Sequence, residues 1–186
     1  LDGWLFYDHR GRDPLAYSIL GLAGGHVTRR WYYFVPAHGE PRKLVHRIES
    51  GRLDALPGAK AEYSSWQELE QRLDALLGNA TRIAMQYSPP NAIMYVSMVD
   101  AGTVELVRSF GKEIISSADL VSRFEAVLTE AQIATHYEAQ RRLDAILEAG
   151  WREIGGRVRS NSPDAHEYAV ARWLEAAIER EGMVTE

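Results

Sequence analysis

Residues 29–49, "RRWYYFVPAHGEPRKLVHRIE", set two arginines against four consecutive aromatic residues and follow them with five more basic or potentially basic side chains. The run could serve as a stacking platform for bases or as a strand of a packed sheet. Trp31 to Phe34 has strand composition, "AHGEP" supplies a glycine and a proline for a turn, and "RKLVHRI" returns with Leu44, His46 and Ile48 at period two. The stretch therefore predicts a β-hairpin with a loop of moderate length. Neighbouring residues of a strand face opposite ways, so at most half of the aromatics could share one exposed face. Large aromatics are usually buried, and core packing is the expectation for this run.

Upstream, "GWLFYD" (3–8) is a short apolar run that exits through the polar "HRGRDP", as a buried strand does. Downstream, after the "LPG" break, "AKAEYS" (59–64) offers a further pairing partner. "SWQELEQRLDALLG" (65–78) carries Ser65 and Glu68 as a capping box, Trp66, Leu69, Leu73, Leu76 and Leu77 as one apolar stripe, and Gly78 as a stop. "RIAMQY" alternates Ile83, Met85 and Tyr87; "DAGTVELVRSFG" reads as a helix ended by Gly111, and "KEIISS" as another strand. Strands alternating with helices imply parallel crossovers. "SADLVSRFEAVL" closes the region as an amphipathic helix with Leu120, Val121, Phe124, Val127 and Leu128 turned inward. The fold class expected for residues 1–128 is α/β: a mixed sheet, an antiparallel meander followed by βαβ units, flanked by helices.

At Thr129 the pattern changes. "TEAQ" is a second capping box, and it opens roughly thirty residues of helical period through Ile133, Tyr137, Leu143, Leu147, Trp151, Ile154 and Val158. Ser162 as N-cap and Pro163 at the first helical position then introduce a second helix with Val170, Trp173, Leu174 and Ile178 as its buried stripe. Two long helices with no strand of their own predict the opening of a second domain over 129–186. The first residue is Leu1, and strand-like sequence starts by Gly3, so the chain is expected to be a piece of a longer gene product.

With 186 residues, 46% hydrophobic and 25% charged, the chain has the make-up of a folded globular protein. A net charge of -5 argues against nucleic acid as a partner. Without cysteine there is no disulfide framework and no thiolate chemistry, which favours a reducing compartment and gives the cytoplasm as the expected location. No run approaches the roughly 18 apolar residues of a membrane span, and no signal peptide is evident.

Familiar catalytic signatures are missing. His9, His26, His38, His46, His136 and His166 form no pair at the spacing that places two metal ligands on one helix face. Asp8 leaves the first strand, as a two-metal nuclease would need, but Gln86 and Ser88 stand where a second acidic ligand is required. There is no G-x-S-x-G and no GK[ST], and "GLAGGH" (21–26) lacks the strand-to-helix setting of a phosphate loop.

Taken in order, "LDGWLFYDHRGRDPLAYSILGL", "TRRWYYFVPAHGEPRKLVHRIE", "IAMQYSPPNAIMYVSMVDAGTVELVRSFG" and "ISSADLVSRFEAVLTEAQIATHYEA" resemble the amino-terminal domain of the creatinase, aminopeptidase P and prolidase family. "TEAQIATHYEAQRRLDAIL" resembles the helix that leads into that family's pita-bread catalytic domain, here 129–186 cut short. The resemblance implies a dinuclear-metal Xaa-Pro peptidase as parent. Its two divalent ions, often manganese or cobalt, are held by two aspartates, one histidine and two glutamates that all lie beyond this sequence. No catalytic residue and no metal ligand is therefore expected here. What the resemblance implies for this domain is a homodimer in which it covers the partner's active-site mouth and shapes it for small peptides. Candidate substrate contacts are His9, Arg10, His26, Arg29, Arg30 and Trp31, beside Asp8, and an arginine suits a substrate carboxylate through a bidentate pair. Where better-known members carry an asparagine and a Tyr-Leu-Thr-Gly-Phe-like run, this chain has "RDPLAYSILGLAGG". The alternative is a non-enzymatic protein-interaction module, since relatives of this fold have lost their metals.

Overall fold

The structure, a computed structural model, describes residues 1–185. Trp31, Tyr32, Tyr33 and Phe34 are all buried, and they alternate between two cores. Tyr32 and Phe34 pack with Leu5, Tyr7 and Leu44 on one face of the sheet, and Trp31 and Tyr33 with Trp4, Phe6 and Val45 on the other. A strand covered on both faces needs an apolar side chain at every position, which explains the unbroken runs in β1 (Gly3–Asp8) and β2 (Trp31–Pro36).

β1 pairs antiparallel with β2, and β2 with β3 (Arg42–His46). The next strand departs from a simple meander, because β4 (Ala59–Tyr63) lies parallel to β3. Residues 47–58 must therefore cross back along the sheet, and buried groups hold them there. Lys43 Nζ donates to the carbonyls of Leu53 (3.0 Å) and Leu56 (2.6 Å), and the Tyr33 hydroxyl donates to that of Pro57 (3.2 Å). Ile48, expected to continue the period of β3, instead sits on the 3-10 turn Arg47–Glu49 and is exposed. β5 (Arg82–Met85) and β6 (Glu113–Ser116) extend the far side in parallel, giving the order β4-β3-β2-β1-β5-β6. The α/β class with a mixed sheet and flanking helices is what the sequence predicts.

Four helices, α1 to α4, flank the sheet, with some surprises. α1 (Pro14–Leu20) occupies a stretch without an obvious apolar period; Asp13 caps it by accepting from the Ala16 N–H, and Gly21 ends it in the left-handed region. α2 (Trp66–Leu77) buries Leu69, Leu73, Leu76 and Leu77 as expected, but Trp66 at its first position points to solvent. Ser65 Oγ accepts from the Glu68 N–H, whereas the Glu68 carboxylate takes the N–H of Ser64, one residue earlier than a capping box requires. α3 (Ala101–Ser109) is capped by Asp100. α4 (Ala118–Glu125) buries Val121 and stops earlier than expected; Phe124 in its last turn, and Val127 and Leu128 beyond it, are exposed rather than inward.

The chain divides into two compact units, Leu1–Val127 and Leu128–Glu186. In the second, α5 (Glu130–Arg159) starts at the full capping box of Thr129 and Gln132. α6 (Glu167–Arg180) is capped by His166, not Ser162. Ser162 Oγ is occupied by the Asp164 N–H in a turn that contains Pro163, so the helix begins later. The buried positions of the two helices are Ile146 and Gly150 on α5 and Ala177 on α6. A Cβ at Gly150 would stand 3.1 Å from Leu174 Cδ2, so the glycine sets how near α6 can come. Leu143, Leu147, Trp151 and Val158, which carry the helical period of this stretch, are exposed.

Candidate functional site at the carboxyl edge of the sheet

All strands except β2 run the same way, so the carboxyl ends of β1, β3, β4, β5 and β6 share one edge. In open α/β sheets ligands bind outside this edge, where loops diverge. Asp8, at the end of β1, is buried and fully used. Its carboxylate accepts from the N–H groups of Gly11 (2.8 Å), Arg12 (2.6 Å) and Asp13 (3.1 Å) and from the Tyr17 hydroxyl (3.0 Å). Arg10 and Gly11 adopt left-handed backbone, φ 69° and 68°, to wrap the turn around it. Asp8 is thus the internal anion of a backbone nest, filling a concavity that could otherwise take a ligand anion.

The register sets Asp8 opposite Trp31, which brings His9 and Arg10 to the same edge as Arg29 and Arg30. Arg10, His26 and Arg29 are exposed, while His9 and Arg30 are half-buried. His26 lies on the strap of residues 21–30 that leads from α1 into β2. The Arg29 guanidinium donates to the carbonyl (3.2 Å) and hydroxyl (3.3 Å) of Thr28, and the Arg30 carbonyl accepts from the Tyr63 hydroxyl at 2.8 Å. Trp31 is buried beneath the edge, its Nε1 without a hydrogen-bond partner, and contributes packing there.

The crossover between β3 and β4 ties the strap down, a contact that no local sequence pattern announces. Glu49 accepts from the Thr28 N–H (2.8 Å), the Thr28 hydroxyl (2.6 Å) and the Arg29 N–H (3.3 Å). Burial alone would raise the Glu49 carboxyl, but these bonds hold it below its ordinary value. Arg52 donates to the Ala23 carbonyl at 3.3 Å and lies over the Tyr17 ring, 5.0 Å from its centroid.

Sequence reading also missed a row of phenols. Tyr7, Tyr32 and Tyr63 occupy the same face, at the carboxyl ends of β1 and β4 and at the start of the antiparallel β2. Burial pushes the Tyr7 hydroxyl up to about 12. The wholly buried Tyr32 hydroxyl is also raised by burial, and it has no partner. The only advance signal is that tyrosines recur near strand ends. On β5's exit, Gln86 Oε1 accepts from Trp4 Nε1 (3.2 Å) and Ser88 Oγ from the Ile93 N–H (2.9 Å), so neither stands ready as a ligand. Among the described residues no three His, Asp or Glu side chains are grouped so as to hold a metal ion. No helix of the described residues is long and apolar enough to cross a membrane.

No protein-family model matches the sequence, and no curated protein matches it. Solved structures do. The prolidase from Thermococcus sibiricus aligns at a TM-score of 0.52 and 12% identity, over 97% of this chain and 46% of that one. The X-Pro aminopeptidase from Thermotoga maritima aligns at 0.51 and 12% identity, over 97% and 47%. A proline dipeptidase from Streptococcus pneumoniae gives 0.50 and 16% identity, over 69% of this chain and 89% of that shorter chain. The chain spans less than half the length of the first two. At these identities the likeness is one of fold: a six-stranded mixed sheet with flanking helices, the architecture of prolidase amino-terminal domains.

Proposed function

We propose that this chain is the amino-terminal, non-catalytic part of a prolidase-like or Xaa-Pro aminopeptidase-like hydrolase, joined to the first helices of its catalytic domain. The observation that carries this reading is the fold likeness over 97% of the chain to peptidases of which it spans less than half. Support comes from α5, whose exposed Leu143, Leu147 and Trp151 suit a helix that packs on further chain. Residues 129–186 are then the opening of the catalytic domain. Any divalent ions, manganese or cobalt, would in this reading be held by residues outside this chain.

In this reading the protein is a cytoplasmic homodimer. The carboxyl edge then faces the partner's active-site mouth, and Arg10, His26, Arg29 and Arg30, with His9 behind them, are the groups placed to meet a peptide's terminal carboxylate. The test is to read the gene beyond Glu186 and assay its whole product. An Asp, Asp, His, Glu, Glu set and metal-dependent cleavage of Xaa-Pro dipeptides are expected. Absence of that set, or an inactive metal-replete product, overturns the proposal in favour of a non-enzymatic interaction module.

A further inference from the structure

We propose that the free edge of β4 is a self-pairing surface, at which two copies of this chain join their strands antiparallel across a two-fold axis at Ala61. β4 is the outer strand of the sheet and pairs with β3 on one side only. Alternate N–H and C=O groups of residues 59–63 therefore point away from the sheet, and among the described residues no turn or loop bonds to them. Ala59 and Lys60 are exposed, and Ala61 and Glu62 are half-buried. Edges are usually blocked by a proline, a bulge or a run of like charge. This one holds no proline, and its register with β3 is unbroken from Ala59 to Tyr63.

The side chains decide which strand fits. Lys60 and Glu62 share one face of β4, and Ala59 and Ala61 share the other. In an antiparallel pair centred on Ala61, Lys60 of each copy stands opposite Glu62 of the other, and opposite-charge rungs stabilise a ladder. A parallel pair in register would set like charges together, and a slip of one residue would leave each charge without its opposite. The two positions do differ in charge. Lys60 Nζ lies 2.8 Å from Asp54, but the buried Lys43 stands beside it on β3, so two ammoniums share one carboxylate. Glu62 belongs to no ion pair among the described residues. On the other face the alanines set no bulk against an incoming strand, and a hollow of about 200 Å³ lined by Ala59, Ala61, Arg72, Ala75 and Leu76 leaves room between β4 and α2. A two-fold contact uses the same patch on both copies and closes at a dimer. It involves none of the residues that the peptidase reading places at the partner's mouth, and it rests on β4 alone.

Sedimentation equilibrium of the 186-residue chain is expected to show a reversible monomer–dimer equilibrium, weak because a ladder this short buries little area. Glu62→Lys and Lys60→Glu should each weaken the dimer at least about tenfold, because both charged rungs become repulsive. An equimolar mixture of the two variants should restore it, since every lysine then meets a glutamate again. Lys60→Glu also gives up the contact with Asp54, so a second measurement avoids charge altogether. The chain has no cysteine, and Ala61→Cys should cross-link to a dimer when its thiols are oxidised with diamide, because position 61 faces itself across the axis. Ala59→Cys, which would face Tyr63 of the other copy, should not. A monomer at every concentration overturns the proposal. So does a dimer that both charge variants retain, a mixture no tighter than its components, or cross-linking at position 59 as fast as at 61. Loss of the peptidase reading would leave these outcomes unchanged, so the two fail separately.

Discussion

Asp13 illustrates how one buried atom sets a pH dependence. Its Oδ1 caps α1 through the Ala16 N–H (3.0 Å), but Oδ2 is buried with no partner. Burial, with the neighbouring Asp8 charge adding to it, pushes the carboxyl from 3.8 up to about 6. A raised folded value means that the native state binds more protons, so ionisation destabilises progressively as pH climbs from 3.8 to about 6. Asp13→Asn keeps the cap and removes the charge, and asparagine caps as well as aspartate. Urea unfolding should show the variant more stable at pH 7.5 by up to about 3 kcal/mol, with the advantage vanishing below pH 4. An advantage that persists in acid would contradict this account. Gly58 supplies a second test, since its φ of +101° is left-handed and a Cβ there would fall on the Pro41 carbonyl. Gly58→Ala should lower stability by more than about 2 kcal/mol, whereas Gly111→Ala, with open space around it, should cost about 1 kcal/mol. Such residues are invisible in sequence because their constraint comes from a distant backbone. The arginines around β2 could be anticipated, since they flank a strand; the role of Asp8 as a turn anchor could not, because its partners are main-chain N–H groups.

At the level of elements, what could be read was whatever rests on local period. Consecutive aromatics in β2 announced a strand with two buried faces, and the stripes of α2 and α3 were plain. The direction of β4 was not, since a parallel pairing depends on a crossover held by Lys43 and Tyr33 from inside the sheet. α1 was missed although Asp13, Pro14 and Gly21 mark its ends, because its seven residues are too few to show a period. Phe124 and Trp66 were placed inward on pattern alone, but one sits next to a helix end and the other on a first turn, where the core has fallen away. β2 contains two side chains whose polar atoms the packing leaves unpartnered, Trp31 and Tyr32. The Tyr32 hydroxyl is buried without a partner, so Tyr32→Phe removes a desolvation cost and keeps the ring that lies 5.1 Å from Tyr7. Its midpoint in urea should rise, by about 1 kcal/mol in stability, and a fall of that size would mean that the hydroxyl is bonded in solution.

Across the whole molecule, the two units differ in what holds them. The first buries two apolar layers around its sheet, but in the second Ile146, Gly150 and Ala177 are the buried positions among the described residues. Pairs along α5, such as Arg142 with Glu138 (2.7 Å) and Arg157 with Glu153 (2.8 Å), add only a few tenths of a kcal/mol each. Helices with so little core open by local fluctuation, and in hydrogen exchange the amides of α5 and α6 should be at least about 100-fold less protected than those of β1. Equal protection would show that something in solution covers the Leu143–Trp151 stripe. Acid should act on the same unit first. Hydrogen bonds from Arg141 and Arg142 hold the Glu138 carboxyl at about 2, below its ordinary 4.5, so their support is present above pH 4.5 and is lost as pH falls towards 2. Helical circular dichroism should therefore decline over that window before the aromatic signal of the sheet does, and Glu138→Gln should flatten the decline. If the aromatic signal is lost first, the exposed helices are not the weaker part.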